Sequence, residues 1–258
     1  MVKLIASDID GTLLLNGARQ LPDELFAEVR RLQEKGIYFV PASGRQYAAM
    51  RMLFAPVADE VLYLCENGAL LRGKGRRGEL LGKIPMNRED ALRIAHELQE
   101  FPDCEILMSG EDYGYYCPVR DEAFCRQMLS FASDKVRRLE RIEDIPEEII
   151  KVSAYCSADP RKREMQMREK WDGKVEIAFA GAGGWVDFTS ANKGKGLKLL
   201  CERLGIDLRD VVAFGDNFND EAMLDCAGTP YIMESAAEEL KVRYPNRCRN
   251  VIEVLKTF

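Results

Sequence analysis

Apolar and polar positions alternate in blocks along the chain. The first is a short apolar run, KLIAS at 3–7, suited to a buried strand. PDELFAEVRRLQEKG follows, where Leu25, Val29 and Leu32 line one helical face, Pro22 sits near the start and Gly36 is placed to stop the helix. IYFVPASG reads as a second strand running into a loop of small residues, and after another helix VLYLC at 61–65 gives a third strand. This βαβαβ order implies parallel strands joined by helical crossovers.

The pattern then changes. In ALLRGKGRRGELLGKI two short apolar runs flank a Gly- and Arg-rich turn, as in a hairpin, and Lys74, Arg76 and Arg77 read as a solvated turn rather than a phosphate site. Over 85–184, helical REDALRIAHELQE, DEAFCRQMLSFAS and DPRKREMQMREKW alternate with strand-like EILMSG, KVSAYC and VEIAFA, a block with apolar faces of its own. The parallel rhythm resumes with the helix NKGKGLKLLCERLGI, the strand VVAFGD, the strand PYIM and a helical terminus. The expected architecture is an α/β parallel-sheet core over 1–84 and 185–258, with an inserted α+β domain at 85–184.

Composition narrows the function. A length of 258 residues with 47% hydrophobic content allows two domains, each with a core. The formal charge of -6, without a long Lys/Arg block, argues against a nucleic-acid or anionic-membrane surface but leaves small acidic ligands open. Asp8 and Asp10 break the opening apolar run before a signal sequence could form, and no later stretch approaches the roughly 20 apolar residues that span a bilayer. A cytoplasmic protein is expected. Cysteines 65, 104, 117, 125, 156, 201, 226 and 248 include no C-x-x-C pair and read as buried, reduced thiols.

Chemistry gathers at strand ends. Asp8 and Asp10 follow the first strand, and Asp216 and Asp220 follow a later one, where open α/β sheets bind ligands. Two unit charges about 4 Å apart repel by around 4 kcal/mol at an effective dielectric of about 20, so converging acids call for a cation. Oxygen donors without nearby His or Cys point to a hard ion, and Mg²⁺ suits few carboxylates with room for water and phosphate. Ser43 and Gly44 would end a strand, open a helix and offer a hydroxyl and backbone N–H groups to an anion. Lys193, at the start of another helix, adds a mobile positive charge. Together these are the equipment for phosphoryl transfer.

D-I-D-G-T-L-L at 8–14, S-G-R at 43–45, N-K-G at 192–194 and G-D-N-F-N-D at 215–220 resemble the four motifs of the haloacid dehalogenase-like phosphatases, and their order is most similar to the Cof-type branch with its large α/β cap. The resemblance implies a Rossmann-like core with an inserted cap. It implies Asp8 as nucleophile through an aspartyl-phosphate, and Asp10 as general acid and then base. Mg²⁺ would be held by the side chains of Asp8 and Asp216 and by the main-chain carbonyl of Asp10, with Asp220 orienting metal waters or Lys193. Ser43, Gly44, Lys193, Asn219 and the backbone N–H of Ile9 would hold the phosphoryl oxygens, while Gly11 keeps the turn open.

Elsewhere the readings are plainer. His96, the single histidine, lies on an amphipathic helix and reads as a surface or packing residue. G-A-G-G-W at 181–185 reads as a hinge where the chain leaves the cap. Tyr113, Tyr115 and Tyr116 could stack on a sugar or heterocycle, and Asp187 could accept hydroxyl hydrogen bonds, each against a structural alternative. The function expected is a Mg²⁺-dependent phosphatase acting on small phosphorylated metabolites, sugar phosphates first and phosphorylated cofactors next. A phosphomutase-like phosphotransferase and a noncatalytic phosphometabolite sensor are the alternatives. No oligomeric state follows from the sequence.

Overall fold

The computed structural model describes residues 1–130, 135–180 and 184–258. Its Cα framework divides into two compact units, one of Met1–Lys83 with Asn192–Phe258 and one of Ile84–Ala191.

The chain opens with β1 (Leu4–Asp8), α1 (Asp23–Glu34), β2 (Tyr38–Ala42), α2 (Tyr47–Leu53), β3 (Tyr63–Cys65), β4 (Leu70–Arg72) and β5 (Leu80–Lys83). The second unit holds α3 (Arg88–Glu100), β6 (Cys104–Ser109), β7 (Gly114–Tyr116), α4 (Glu122–Leu129), β8 (Val136–Arg138), β9 (Lys151–Cys156), α5 (Pro160–Trp171), β10 (Glu176–Ala180) and β11 (Trp185–Thr189). The first unit resumes with α6 (Lys193–Leu204), β12 (Val211–Gly215), α7 (Glu221–Cys226), β13 (Thr229–Met233), α8 (Glu238–Arg243), β14 (Arg247–Cys248) and α9 (Val251–Leu255).

In the first unit the strand order is β14-β13-β12-β1-β2-β3-β4-β5. Pairing is parallel from β14 to β3 and antiparallel through the β4 and β5 hairpin, as the apolar pattern predicts except for β14, which falls in the terminus read as helical. Successive strands run outward from β1 in one direction and from β12 in the other, so their adjoining carboxyl ends form the switch point at which such sheets take ligands. The core beneath is built from Leu4, Ala6, Val40, Leu64, Ala213 and Ile232 of the sheet with Leu197 and Leu200 of α6. On α1 the residues read from sequence, Leu25, Val29 and Leu32, are buried, and Phe26 joins them.

The second unit carries a sheet of order β10-β11-β9-β6-β7-β8. Ile106, Met108, Val152, Ala154, Val186 and Phe188 of its strands pack with Ile94, Leu98, Met167 and Trp171 of α3 and α5. Leu107 and Tyr155 cluster separately with Phe124 and Met128 of α4. Because Cβ atoms alternate across a strand, Leu107 belongs to one face of β6 while Ile106 and Met108 belong to the other.

One boundary moves. The sequence returns the chain to the core at 185, but Trp185–Thr189 pairs antiparallel with Lys151–Tyr155 on one side and Glu176–Ala180 on the other. The return therefore falls at Asn192, which caps α6. A strand's apolar alternation fixes which face is buried and leaves its partners open. Residues 181–183 of the expected hinge lie outside the described residues, and Gly184 and Trp185 both fall within the second unit. A smaller shift affects α2, which starts at Tyr47 with Gln46 as its cap, so Ser43 and Gly44 occupy a loop before the helix.

Cys65, Cys104, Cys125, Cys156, Cys201 and Cys248 are buried free thiols, and Cys117 and Cys226 are half-buried. His96 is exposed, its Nε2 3.0 Å from Glu143 Oε1, a surface contact. Lys74, Arg76 and Arg77 are exposed in the hairpin turn. Among the described residues no helix is long and apolar enough to cross a membrane.

Candidate active site

The loop leaving β1 is tied down by one carbonyl. Ile9 O accepts hydrogen bonds from the N–H groups of Thr12 (3.4 Å), Leu13 (2.9 Å) and Leu14 (2.7 Å), and the Ile9 side chain is buried. Gly11 takes φ +94°, and a Cβ there would lie 2.2 Å from Asp216 Oδ2, so only glycine lets this turn approach the acid that follows β12. Thr12 then donates its hydroxyl to Asp216 Oδ1 at 3.1 Å.

Lys193 enters from α6. The Asn192 side chain caps that helix by accepting the Lys195 N–H at 2.9 Å, which sets Lys193 in the first turn. A cation is disfavoured at that end of a helix, and here two carboxylates offset the cost. Lys193 Nζ, 1% exposed, donates to Asp8 Oδ1 at 2.5 Å and to Asp220 Oδ1 at 2.6 Å. Asp220 Oδ2 accepts the backbone N–H groups of Asp216 (3.0 Å) and Asn217 (3.1 Å), so both its oxygens are committed.

Asp8 is buried as well, and its Oδ2 has no hydrogen-bond partner. Asp8, Asp216 and Asp220 each bring an oxygen within 4.8 Å of the others. Three carboxylates, if all ionised, would against one ammonium leave a net charge of -2 in a largely buried space. Burial raises the Asp8 pKa well above the ordinary value, with Asp220 and Asp216 pushing the same way against Lys193. Asp216 is pushed up to about 6 by burial and then by Asp220. Burial lowers Lys193, yet the attraction of Asp220 and Asp8 outweighs it and the net shift is upward. An unpartnered buried carboxylate oxygen, an all-oxygen donor set and uncompensated negative charge fit a hard divalent cation. Asp8 and Asp216 are the side chains free to hold it, since Asp220 is already used.

A pH dependence follows. Asp8 and Asp216 hold protons more tightly when folded than an ordinary aspartate at 3.8. Their contribution to stability is therefore full below that value and is lost as pH rises through the folded value, about 6 for Asp216. These two acids therefore destabilise the metal-free protein increasingly as pH rises from about 4 to about 7, and the Tm gained on adding Mg²⁺ is expected to grow across that window. Melts at several pH values with and without Mg²⁺ test this, and a gain that is flat with pH contradicts it.

Around this centre lie the other expected residues. Ser43 is buried, its Oγ accepting the Arg45 N–H at 3.3 Å, and Gly44 follows in the same loop. Asn219 is exposed in the turn Phe218–Asp220. The Asp10 side chain is turned to Arg45, whose guanidinium forks onto it with Nε at 2.9 Å and Nη2 at 2.6 Å. Sequence reasoning assigned no role to Arg45 or Thr12, although S-G-R and D-G-T contain both. Because the pair is about half exposed, it is worth no more than about 1 kcal/mol. Arg45→Ala is accordingly expected to lower kcat/KM roughly fivefold with little change in Tm, which steady-state kinetics and melting check together.

The residues expected to read a leaving group all lie in the second unit. Asp187 is buried, held by Lys151 Nζ at 3.2 Å and by Ser153 Oγ at 2.7 Å. Tyr115 is buried too, donating its hydroxyl to Glu147 Oε1 at 2.5 Å. Both engage partners of their own sheet or its neighbouring loop, which fits the structural alternative. Tyr113 is half-buried under the Arg137 guanidinium, 3.6 Å from its ring centroid.

Compared with known proteins, residues 5–251 match the model of the haloacid dehalogenase-like hydrolase family. The chain belongs to that family. Among curated relatives, the 5-amino-6-(5-phospho-D-ribitylamino)uracil phosphatase YbjI of Escherichia coli K12 is 28% identical over 91% of this chain and 86% of its own length. An HMP-PP phosphatase of Escherichia coli O8 is 25% identical over 97% of this chain and 92% of its own. The subclass IIB sugar phosphatase BT4131 shares the fold, with a TM-score of 0.79 at 21% identity over 100% of this chain and 99% of that one. These findings agree with the expected architecture and with the expected enzyme class, a phosphoric monoester hydrolase of the haloacid dehalogenase-like hydrolases.

Proposed function

We propose that this haloacid dehalogenase-like hydrolase is a Mg²⁺-dependent phosphatase of small phosphorylated metabolites that works through an aspartyl-phosphate on Asp8. The observation that carries the reading is the buried Lys193 ammonium, bonded to Asp8 and Asp220 at once while Asp8 Oδ2 lacks a hydrogen-bond partner. A carboxylate so placed can be neutralised enough to meet a phosphoryl group yet keep an oxygen for attack.

In the first step an Asp8 carboxylate oxygen bonds to phosphorus as the bond to the leaving oxygen breaks, and Asp10 gives that oxygen a proton. Asp10, now a carboxylate, takes a proton from water, which attacks phosphorus and breaks the acyl-phosphate bond, releasing orthophosphate and Asp8. Lys193, Ser43, Gly44, Asn219 and the Ile9 N–H hold phosphoryl oxygens through both steps. Mg²⁺, with Asp8, Asp216 and the Asp10 carbonyl as protein ligands, would supply charge neutralisation at those oxygens. The first unit carries this chemistry, and we assign the second the role of a cap that selects the leaving group.

The names of the relatives favour phosphate esters of small heterocyclic and polyol metabolites, alongside the sugar phosphates expected from sequence. The test is phosphate release from a panel of phosphorylated sugars, polyols, pyrimidines and cofactors, with Mg²⁺ and then with EDTA. Turnover that EDTA abolishes and Mg²⁺ restores is expected. Turnover indifferent to the metal, or silence across the panel from a folded, Mg²⁺-loaded protein, overturns the reading.

A further inference from the structure

A left-handed turn of three residues follows β3. Glu66 (φ +51°), Asn67 (φ +56°) and Gly68 (φ +92°) occupy it in succession, and the first two are side-chain-bearing residues that are also buried. Left-handed backbone is sparse outside glycine, tolerated by Asn better than by most, and persists where surrounding contacts impose it.

Those contacts reach two parts of the candidate site. Toward the anion loop, the Glu66 N–H donates to Arg45 O at 3.2 Å and the Asn67 N–H donates to Ser43 O at 3.0 Å. The Asn67 amide lies so close to Gly44 that a Cβ there would meet Oδ1 at 2.8 Å and Nδ2 at 3.2 Å. Toward the lysine helix, a Cβ on Gly68 would stand 2.4 Å from Asn192 O and 3.0 Å from Lys193 Cα, and one on Gly196 would stand 2.5 Å from Gly68 O. The turn is therefore pressed between the loop carrying Ser43 and Gly44 and the first turn of α6.

We propose that Asn67 is a positioning residue, whose amide, carried by this left-handed turn, fixes the anion-binding loop 43–45 at the spacing from Lys193 that one phosphoryl group requires. This rests on the phosphatase reading and extends it to a residue outside the four motifs. Because donors misplaced by about 1 Å can cost about a hundredfold in rate, a wedge against both elements acts on catalysis without touching substrate.

Asn67→Gly removes the amide while keeping a residue at home in left-handed backbone, so the fold is spared. We expect kcat/KM to fall about 10- to 100-fold and the inhibition constant for inorganic phosphate to rise at least about fivefold, with Tm within about 2 °C of the natural protein. Asn67→Asp keeps the shape and the tolerance of the turn but replaces the amide donor with charge, and weaker phosphate inhibition is expected there too. Natural kinetics and phosphate inhibition in Asn67→Gly overturn the inference, as does a loss of activity accompanied by an equal loss of folded protein in both variants. Should Asn67→Gly alone fail to fold, Asn67→Asp decides: weakened phosphate inhibition at unchanged Tm supports the role, and natural inhibition overturns it. Failure of the phosphatase reading is distinguishable, because the natural protein would then show no metal-dependent turnover for phosphate to inhibit.

Discussion

Asp8→Asn is expected to abolish phosphate release, lowering kcat by a factor on the order of 10⁴ to 10⁶, while the protein stays folded. An amide cannot form the acyl-phosphate, yet its oxygen can still accept the Lys193 hydrogen bond now made by Asp8 Oδ1. Substitution also takes one negative charge from a site where burial and the charges of Asp220 and Asp216 already oppose ionisation of Asp8. Tm of the metal-free variant should consequently match or exceed that of the natural protein, and the Tm gained with Mg²⁺ should shrink. Turnover within about a hundredfold of the natural enzyme, in a preparation free of contaminating phosphatase, would remove Asp8 from the role of nucleophile.

Lys193→Met is expected to have the larger effect on stability. Its ammonium is the cation bonded to both Asp8 and Asp220, and it is almost wholly buried. Removing one partner from a buried ion network costs about 3–5 kcal/mol, because the charges left behind have no compensation. For a domain of this size that is a fall in Tm of roughly 6–20 °C near neutral pH. The sign of the pH effect is fixed by the acids. Asp8 and Asp216 already titrate above the ordinary aspartate value, so acidification protonates the groups that repel, and the deficit should narrow below about 6. Melting curves of both proteins across that range are decisive, and equal stability at every pH would mean the lysine does not neutralise this site.

Much of this was legible because the relevant information is local. Apolar runs such as KLIAS and VVAFGD mark buried strands without reference to any partner, and Asp8 and Asp216 sit at the ends of such runs while Lys193 sits at the start of a helix. What the sequence left open depends on contacts between distant segments. Trp185–Thr189 has an acceptable strand pattern for either sheet, and only pairing with Lys151–Tyr155 places it in the second unit. The fork of Arg45 onto Asp10 joins residues 35 positions apart, and nothing in S-G-R specifies its target. For Asp187 and Tyr115 a ligand-reading role and a structural one both stayed open, because an aromatic or acidic residue carries no sign of which neighbours engage it. The left-handed turn at 66–68 was hidden for another reason: an Asn-Gly pair announces a turn, whereas a Glu ahead of it does not.

The cap residue of α6 carries a consequence for how such a chain can vary in length. Asn192 stands at the crossing from the second unit, and its side chain restarts the helical ladder there, whatever came before. Residues gained or lost further upstream, within the second unit, fall before that restart and do not change the phase of Lys193 along α6. A single insertion between Lys193 and Gly196 would instead rotate the lysine by about 100° around the axis relative to the packed body of the helix, carrying it away from Asp8. Heritable drift in the size of the inserted unit is thus compatible with a conserved chemical centre, provided that the helix keeps its phase from Asn192 onward.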